Sequence, residues 1–396
     1  MTPPLPTGLA RSAHPPRFPG GEPGEPSLET WQDAPYNRWA FAHVAEFVPT
    51  APISHRSAVT TIDTGVGLKP LLGALADLER RLEESYTDAL VVVREGRVVA
   101  DYYRDDFTPH TPHVLMSVSK SICGLTVGTL VDEGLLDPSQ RVDHYVPALD
   151  GSAYGDATVQ QVLDMTVDVD YDEDYRNPDS HVQSQDRVAG WRPRLAGDPA
   201  DTYAFLATLR GGGRHGERFR YCSAGTDVLA WIVENVTGLR YADAVSQRLW
   251  SRLGCEHDAS ITVDPGGFGF ANGGISCTVR DLARVGELML GEGVIGGERV
   301  VSADWVRRTR AGGDPAAAAG TVFQRVHAAG SYANQWWITG SDRGDYYAVG
   351  IYGQFIWVDP ASKTVVAKFS SLPEPVTEQW NRLHAELFRD ICSTAG

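Results

Sequence analysis

The sequence predicts an α+β fold, in which an antiparallel sheet is flanked by helices and a mostly helical region is inserted over the candidate functional site. Two observations support this prediction. Strand patterns come early and late in the chain, and helical patterns fill the stretch between them. Because strands from both ends can then share one sheet, we expect a sheet of five or more antiparallel strands rather than alternating βαβ units.

The first elements are an arm, a helical stretch and a hairpin. Residues 1–27 are rich in proline and glycine and predict an irregular arm. Leucines recur at helical spacing over residues 68–85. Residues 89–93 and 97–103 flank Glu95-Gly96, which predicts a β-hairpin.

The later elements follow from periodicity and from residues that begin or end helices. One helix begins near Ser117 and ends at Gly134, and Thr278 is a plausible N-cap for another. We expect residues 28–150 and 260–396 to form the part with the sheet, and residues 151–259 to form the inserted helical region. The remaining predicted helices cover residues 159–165, 200–209, 226–236, 279–290 and 378–391, and two adjacent antiparallel strands cover 354–358 and 364–370.

Composition argues against several kinds of partner. The chain has 396 residues, and its net charge of −16 disfavours binding to nucleic acid or to an anionic membrane surface. We expect no signal peptide, because the N-terminus lacks an apolar core, and we see no apolar run of membrane-spanning length. Five cysteines without a tight pairing pattern favour a reduced, cytoplasmic protein.

Ser117-Val118-Ser119-Lys120 is the most informative stretch of the chain. Only four of the 35 basic residues are lysines, and Lys120 lies in an apolar run with no other charge. Burial lowers the pKa of an ammonium until the neutral amine, a general base, becomes accessible. Ser117 lies three residues earlier, on the same face of a helix. Although S-x-x-K also occurs by chance, this pair is a candidate nucleophile and base.

Two later motifs add to this pair. Tyr221-x-Ser223 precedes a helix, and a tyrosine there either passes a proton during acyl transfer or simply packs at the surface. Gly350–Gln354 reads as the start of a late strand. Its backbone N–H groups could complete an oxyanion hole with that of Ser117, or the glycines could be an ordinary strand entry.

Other stretches give mainly negative evidence. The acidic run from Asp168 to Asp174 does not match a calcium loop, and most such runs are solvated faces. There is no G-x-S-x-G, H-E-x-x-H, Walker A or C-x-x-C motif. We therefore expect neither a metal nor a cofactor.

Together, Ser117-x-x-Lys120, Tyr221-x-Ser223 and Gly350–Gln354 resemble the serine hydrolase group of class C β-lactamases, D-alanyl-D-alanine peptidases and related esterases. Within that group the chain is similar to the 6-aminohexanoate-dimer hydrolase family over nearly its whole length. This resemblance implies a β-lactamase-like, penicillin-recognising fold and hydrolysis of short linear amides, with esterase activity in the same site. It also implies a homodimer. Further matching motifs include Glu173-Asp174-Tyr175, Gly267–Gly274 and Gln335-Trp336-Trp337.

The resemblance also implies roles for individual residues. Ser117 would be acylated, Lys120 would take its proton, and Tyr221 would relay a proton to the leaving amine. The N–H groups of Ser117 and Ile351 would hold the oxyanion. The remaining implied residues bind substrate: Tyr175 at the amide nitrogen, Asp186 at the free ammonium, and Asn272, Ser223 and Trp337 around them. A carboxylate in a partly dry site is a natural partner for an ammonium.

The chain departs from the wider group at Ser223 and at Ile351-Tyr352-Gly353, where that group usually has Lys or His before Thr-Gly. It departs from the closer family at Tyr352 and Gly225. Ser223 replaces the usual Asn, Tyr352 stands where the 6-aminohexanoate-dimer hydrolases carry His, and Gly225 stands where they carry Asn. Two alternatives therefore stay open: a carboxylesterase with little amide activity, and a non-catalytic binding protein on the same fold. Loss of the basic residue in the third motif disfavours β-lactam or D-peptide substrates. A covalent probe of Ser117 separates the enzymes from the binding protein.

Overall fold

A computed structural model describes residues 27–55, 65–319 and 321–394. The predicted arm at 1–27 therefore lies, except for its last residue, outside the described residues. The described strands are β1 Thr50–Ile53, β2 Thr87–Arg94, β3 Arg97–Tyr103, β4 His113–Val114, β5 Ala259–Thr262, β6 Ile275–Cys277, β7 Val294–Ile295, β8 Glu298–Arg299, β9 Ser331–Ala333, β10 Trp336–Ile338, β11 Tyr346–Gly350, β12 Gln354–Asp359 and β13 Thr364–Ser370.

Helices separate and cover these strands. The described α-helices are α1 Asn37–Ala40, α2 Lys69–Leu72, α3 Leu78–Glu84, α4 Val118–Asp132, α5 Val142–Tyr145, α6 Val159–Leu163, α7 His181–Val188, α8 Thr202–Thr208, α9 Ser223–Thr237, α10 Tyr241–Arg248, α11 Val279–Leu290, α12 Ala303–Ala311, α13 Val322–Val326 and α14 Glu378–Ser393. Short 3₁₀ turns lie at Val44–Glu46, Pro147–Leu149 and Trp250–Arg252.

The main sheet has seven antiparallel strands in the order β3-β2-β13-β12-β11-β10-β9. Strands from both ends of the chain therefore share one sheet, and the arrangement is α+β as predicted. A second, four-stranded sheet has the order β1-β5-β6-β4. The sequence pattern did not predict this sheet, because its strands have only two to four residues each.

Side chains alternate between the two faces of the main sheet. On β2, Val91 and Val93 join the larger core with α4 and α11, whereas Leu90 and Val92 join a second core under α3 and α14. All four valine and leucine side chains are at most 1% exposed. This burial on both faces explains why β2 reads as a continuous apolar run.

Several local predictions differ from the structure. The stretch 68–85 forms two short helices instead of one, and the first of them is capped by Gly73, a poor helix former. Gly350–Gln354 does not start a strand: β11 ends at Gly350, residues 351–353 make a turn, and β12 begins at Gln354. Helices α6 to α10 lie within 151–259, and the domain boundaries proposed there stay a prediction.

Candidate active site

Ser117 lies at the N-terminal end of α4, directly after a strained turn. Strand β4 pairs with β6, and the Leu115 N–H donates to the carbonyl of Ile275 at 2.8 Å. Met116 then takes a positive φ of 48°, which a non-glycine residue rarely adopts. Such strain tends to occur where the surrounding structure fixes a functional residue. The turn lets Ser117 cap α4 while its side chain faces Lys120.

Lys120 contacts Ser117 as the motif spacing predicts. Its Nζ lies 2.9 Å from Ser117 Oγ and donates to the carbonyl of Asn272 at 2.7 Å. The side chain is only 1% exposed. Burial lowers the pKa of Lys120 to about 8, although the nearby carboxylates of Glu173 and Asp227 act in the opposite direction. The neutral amine is therefore accessible near neutral pH, as a general base requires.

Tyr221 completes the polar cluster around Ser117. The Lys120 Nζ lies 5.3 Å from the centroid of the Tyr221 ring, and Ser117 lies close enough to the phenol to oppose the rise of the Tyr221 pKa. Burial raises the pKa of Tyr221, so the phenol keeps its proton at neutral pH and can donate it. The ring stacks on Trp337 at 5.7 Å and 18°. Trp337 thus fixes the orientation of the phenol.

The Ile351 turn approaches Ser117 through Gly350. A Cβ on Gly350 would lie 2.4 Å from the carbonyl of Leu115 and 3.0 Å from the Ser117 nitrogen, so only glycine fits there. Within the described part of the chain, neither the Ser117 N–H nor the Ile351 N–H donates to another protein group. Two free N–H groups beside a nucleophile are what an oxyanion hole needs.

Gln354 holds the turn from behind. Its buried side chain donates to the carbonyl of Ser370 at 2.7 Å and to that of Ile351 at 3.4 Å. The Ser370 N–H donates back to Gln354 Oε1 at 3.2 Å. Together with the positive φ values of Tyr352 and Gly353, 64° and 93°, these contacts fix the direction of the Ile351 peptide.

Glu173 joins two of the predicted substrate-binding residues. Tyr175 Oη donates to Glu173 Oε1 at 2.7 Å, and the Ser223 N–H donates to Glu173 Oε2 at 2.9 Å. The Ser223 hydroxyl also donates to this carboxylate. In the sequence, Glu173 is notable only as part of the Glu173-Asp174-Tyr175 motif. Its position two residues before Tyr175, in an acidic run of a kind that is usually solvated, gave no signal of this contact.

Asn272 and Asp227 form a second buried pair. The backbone and side-chain N–H groups of Asn272 donate to Asp227 at 3.1 and 2.7 Å, and Gln185 Nε2 donates to the same carboxylate at 2.6 Å. Burial raises the pKa of Asp227. Sequence reasoning missed Asp227, although it is one of only two acidic residues in the apolar helix α9, which was a usable signal. The side-chain amide of Asn272 thus donates to Asp227, whereas its backbone carbonyl accepts from Lys120.

Asp186 lies on α7 and is only 7% exposed. Burial raises the pKa of Asp186 to about 6, while Arg192 and Gln32 favour its ionised form. The Arg192 Nε lies 3.5 Å from Asp186 Oδ2. The guanidinium of Arg192 therefore contacts the Asp186 carboxylate, which was predicted to bind a substrate ammonium.

A cavity of about 600 Å³ opens beside this cluster. Ser117, Tyr221, Tyr175, Ile351 and Trp337 line the cavity, whereas Lys120, Asp186, Asn272 and Ser223 are buried and do not line it. The structure thus brings the proposed nucleophile, proton relay and oxyanion donors to one surface. In the same described ranges, no group of three or more His, Cys, Asp or Glu side chains is placed to hold a metal ion. No helix described is long and apolar enough to cross a membrane.

Comparisons with known proteins identify the family of the chain. Residues 75–387 match the family model described as Beta-lactamase. The chain is 54% identical over 378 residues to a 6-aminohexanoate-dimer hydrolase of Paenarthrobacter ureafaciens. This alignment covers 96% of each protein.

Solved structures support the same relationship. A candidate 6-aminohexanoate-dimer hydrolase from Bacillus anthracis superposes with a TM-score of 0.83 at 28% identity, covering 92% of this chain and 96% of that one. A family VIII carboxylesterase superposes with a TM-score of 0.62 at 16% identity, covering 84% and 99%, and so shares the fold. The predicted β-lactamase-like α+β fold is confirmed. The chain therefore belongs to the Beta-lactamase family and is a hydrolase.

Proposed function

We propose that this protein is a serine hydrolase that cleaves short linear amides of the 6-aminohexanoate-oligomer type through an acyl-Ser117 intermediate. The observation that carries the proposal is the 2.9 Å contact between a buried, pKa-lowered Lys120 and a Ser117 that lines a substrate-sized cavity. The 54% identity to a 6-aminohexanoate-dimer hydrolase supports the choice of substrate.

The reaction divides into acylation and deacylation. Neutral Lys120 accepts the Ser117 proton as Oγ attacks the amide carbon, and the N–H groups of Ser117 and Ile351 stabilise the oxyanion. Tyr221 donates a proton to the leaving nitrogen, the C–N bond breaks, and the amine departs. The Lys120 ammonium then returns the proton that it took from Ser117 to the Tyr221 phenolate, which leaves the Lys120 amine neutral. Water then attacks the acyl carbon, and neutral Lys120 accepts its proton. Lys120 passes that proton to Ser117 Oγ as the ester C–O bond breaks and the carboxylic acid leaves.

Substrate recognition would use the residues around this core. Tyr175 lines the cavity and holds its hydroxyl on Glu173, from which it can turn to the substrate amide nitrogen. The Ser223 contacts keep Glu173 in place. Trp337 supports Tyr221 and offers an aromatic wall to the aliphatic part of the substrate.

The ammonium end of the substrate would meet Asp186, with Asn272 shaping the space next to it. With a pKa of about 6, Asp186 is ionised at neutral pH and can pair with an ammonium. Because Arg192 already contacts Asp186 at 3.5 Å, the ammonium has to share or displace that cation. The contact with Arg192 is longer than a direct charge-assisted hydrogen bond, which favours exchange.

A carboxylesterase is the second candidate, and one observation favours it. Asp186 does not line the cavity and has a cation beside it. An ester without an ammonium would not need this carboxylate, and its leaving alcohol requires less help from Tyr221. We expect the same site to hydrolyse small esters in either case.

The test is amine release from the linear 6-aminohexanoate dimer, with wild type compared with Ser117→Ala. Release that is lost in the variant supports amide hydrolysis through Ser117. Absence of release from both proteins, with retained hydrolysis of a nitrophenyl ester by wild type alone, would overturn the amide assignment and favour the esterase.

We further propose a cytoplasmic homodimer. All five cysteines are buried free thiols, which suits a reducing compartment. Light scattering of the purified protein tests the dimer, with the monomer mass of 43.0 kDa as reference.

A further inference from the structure

The cavity extends well beyond Ser117. It continues from the Ile351 turn into the space between strands β10 to β12 and helices α13 and α14. We call its most buried lining residues the inner wall; they are Phe323, Tyr347, Phe355, Leu372 and His384, each at most 8% exposed. None of the roles proposed above for the amide reaction uses these residues.

The inner wall has no charged side chain. His384 Nδ1 donates to the carbonyl of Trp380 at 2.7 Å, so its Nε2 accepts from Lys368 Nζ at 3.0 Å. This places a neutral imidazole against the cavity, and burial keeps the pKa of His384 well below its usual value. His384 also stacks on Phe355 at 4.7 Å and 27°. The face that a ligand would meet therefore consists of four rings and the Leu372 side chain.

The charged side chains that line the cavity are Glu173, Arg220, Arg325 and Glu378, and none of them belongs to the inner wall. Arg220 is exposed and donates to the carbonyl of Val169 at 2.6 Å. Arg325 and Glu378 pair at 2.8 Å, with side chains 52% and 40% exposed, and so belong to the solvent side. Glu173 lies at the Ser117 end and is held by Tyr175 and Ser223. A charged group inside the inner wall would lose its hydration without a partner, which is costly. An uncharged apolar group would gain from burial there.

We propose that the inner wall is a binding site for an uncharged, unbranched alkyl chain attached to the scissile ester or amide. The enzyme would then hydrolyse medium-chain esters as a further activity: water adds to the acyl carbon through acyl-Ser117, and the alcohol leaves with a proton. A volume of about 600 Å³ lies in the range of small-molecule sites. The proposal rests on the proposed function only in taking Ser117 as the nucleophile.

The alkyl chain can belong to the acyl part or to the alcohol part of the ester, and its chemistry is the same in both. Two substrate series distinguish them: nitrophenyl esters from acetyl to dodecanoyl, and acetate esters of alcohols from ethanol to dodecanol. In the series whose alkyl chain enters the inner wall, we expect kcat/KM to rise about fourfold for each methylene until the chain fills the cavity.

A variant that fills the cavity tests the location. Val349 lies on β11, lines the cavity and packs against the second core. Val349→Phe should flatten the dependence on length and leave the rate for the shortest ester within about twofold. Val99→Phe is the matched control, since Val99 lies on β3 of the same sheet, is half-buried against the same core and does not line the cavity. It should retain the wild-type slope.

Binding provides a readout that does not depend on turnover. Calorimetry of n-alkanols from butanol to decanol with Ser117→Ala should show affinity that increases with length and weakens when Val349→Phe is added. The proposal would be overturned if neither the wild-type rates nor the alkanol affinities of Ser117→Ala depended on chain length, or if Val349→Phe left the slope unchanged. If the wild-type protein hydrolyses no ester or amide but binds alkanols with affinity that increases with their length, the proposed function is refuted and the proposed binding site is supported.

Discussion

The pH dependence of the reaction is the prediction that follows most directly from the geometry. Burial lowers the pKa of Lys120 from 10.5 to about 8. At pH 7 about a tenth of the molecules then hold the neutral amine, about 300-fold more than an unperturbed lysine would give. Because the base is the deprotonated form, kcat/KM should rise from pH 6 and level off above pH 8.

The perturbation is Lys120→Met, which keeps the length of the side chain and removes the amine. We expect kcat/KM for a nitrophenyl ester to fall by roughly 10³-fold and to lose its rising limb. Lys368→Met is the matched control, because burial also lowers the pKa of Lys368, to about 7, at a site that contacts His384 instead of Ser117. Circular dichroism checks that both variants fold. A rising limb that survives in Lys120→Met, or disappears in Lys368→Met, would refute the assignment of the base.

Three further predictions test the surroundings of the cluster. Gly350→Ala should lower both the urea midpoint and the ester rate, because its Cβ would lie 2.4 Å from the carbonyl of Leu115; a fully active, stable variant would contradict the close approach. Asp227→Asn should shift the midpoint of the rate profile to lower pH, since the Asp227 carboxylate raises the pKa of the base; an unchanged midpoint would exclude this coupling. Gln354→Leu should reduce kcat about tenfold with little change in KM, because the oxyanion donor of Ile351 loses its support; a change in KM alone would argue against it.

Local sequence patterns predicted much of the secondary structure. Thr278 and the apolar spacing after it predict α11 with the bounds that the structure shows, and the Thr278 side chain accepts from the Asp281 N–H as an N-cap should. The hairpin at Glu95-Gly96 is present, with both residues at positive φ. Helix α7 was missed, because its residues 181–188 are mostly polar and gave no apolar period.

The contact between Ser117 and Lys120 was also predictable, since the two residues are three positions apart on one chain segment. Contacts between distant segments were not. The position of Arg192 beside Asp186 and the network of Glu173 with Ser223 depend on tertiary packing that local spacing does not encode. The same holds for the Ile351 turn, whose direction is set by contacts with residues that follow about twenty positions later.

The most direct test of the central claim is covalent labelling with a fluorophosphonate probe, followed by intact mass and peptide mapping. Our account predicts one adduct per wild-type chain, located on Ser117, and no adduct on folded Ser117→Ala. A folded wild-type protein that stays unlabelled, or a Ser117→Ala variant that is labelled equally well elsewhere, would contradict the claim that Ser117 is the nucleophile.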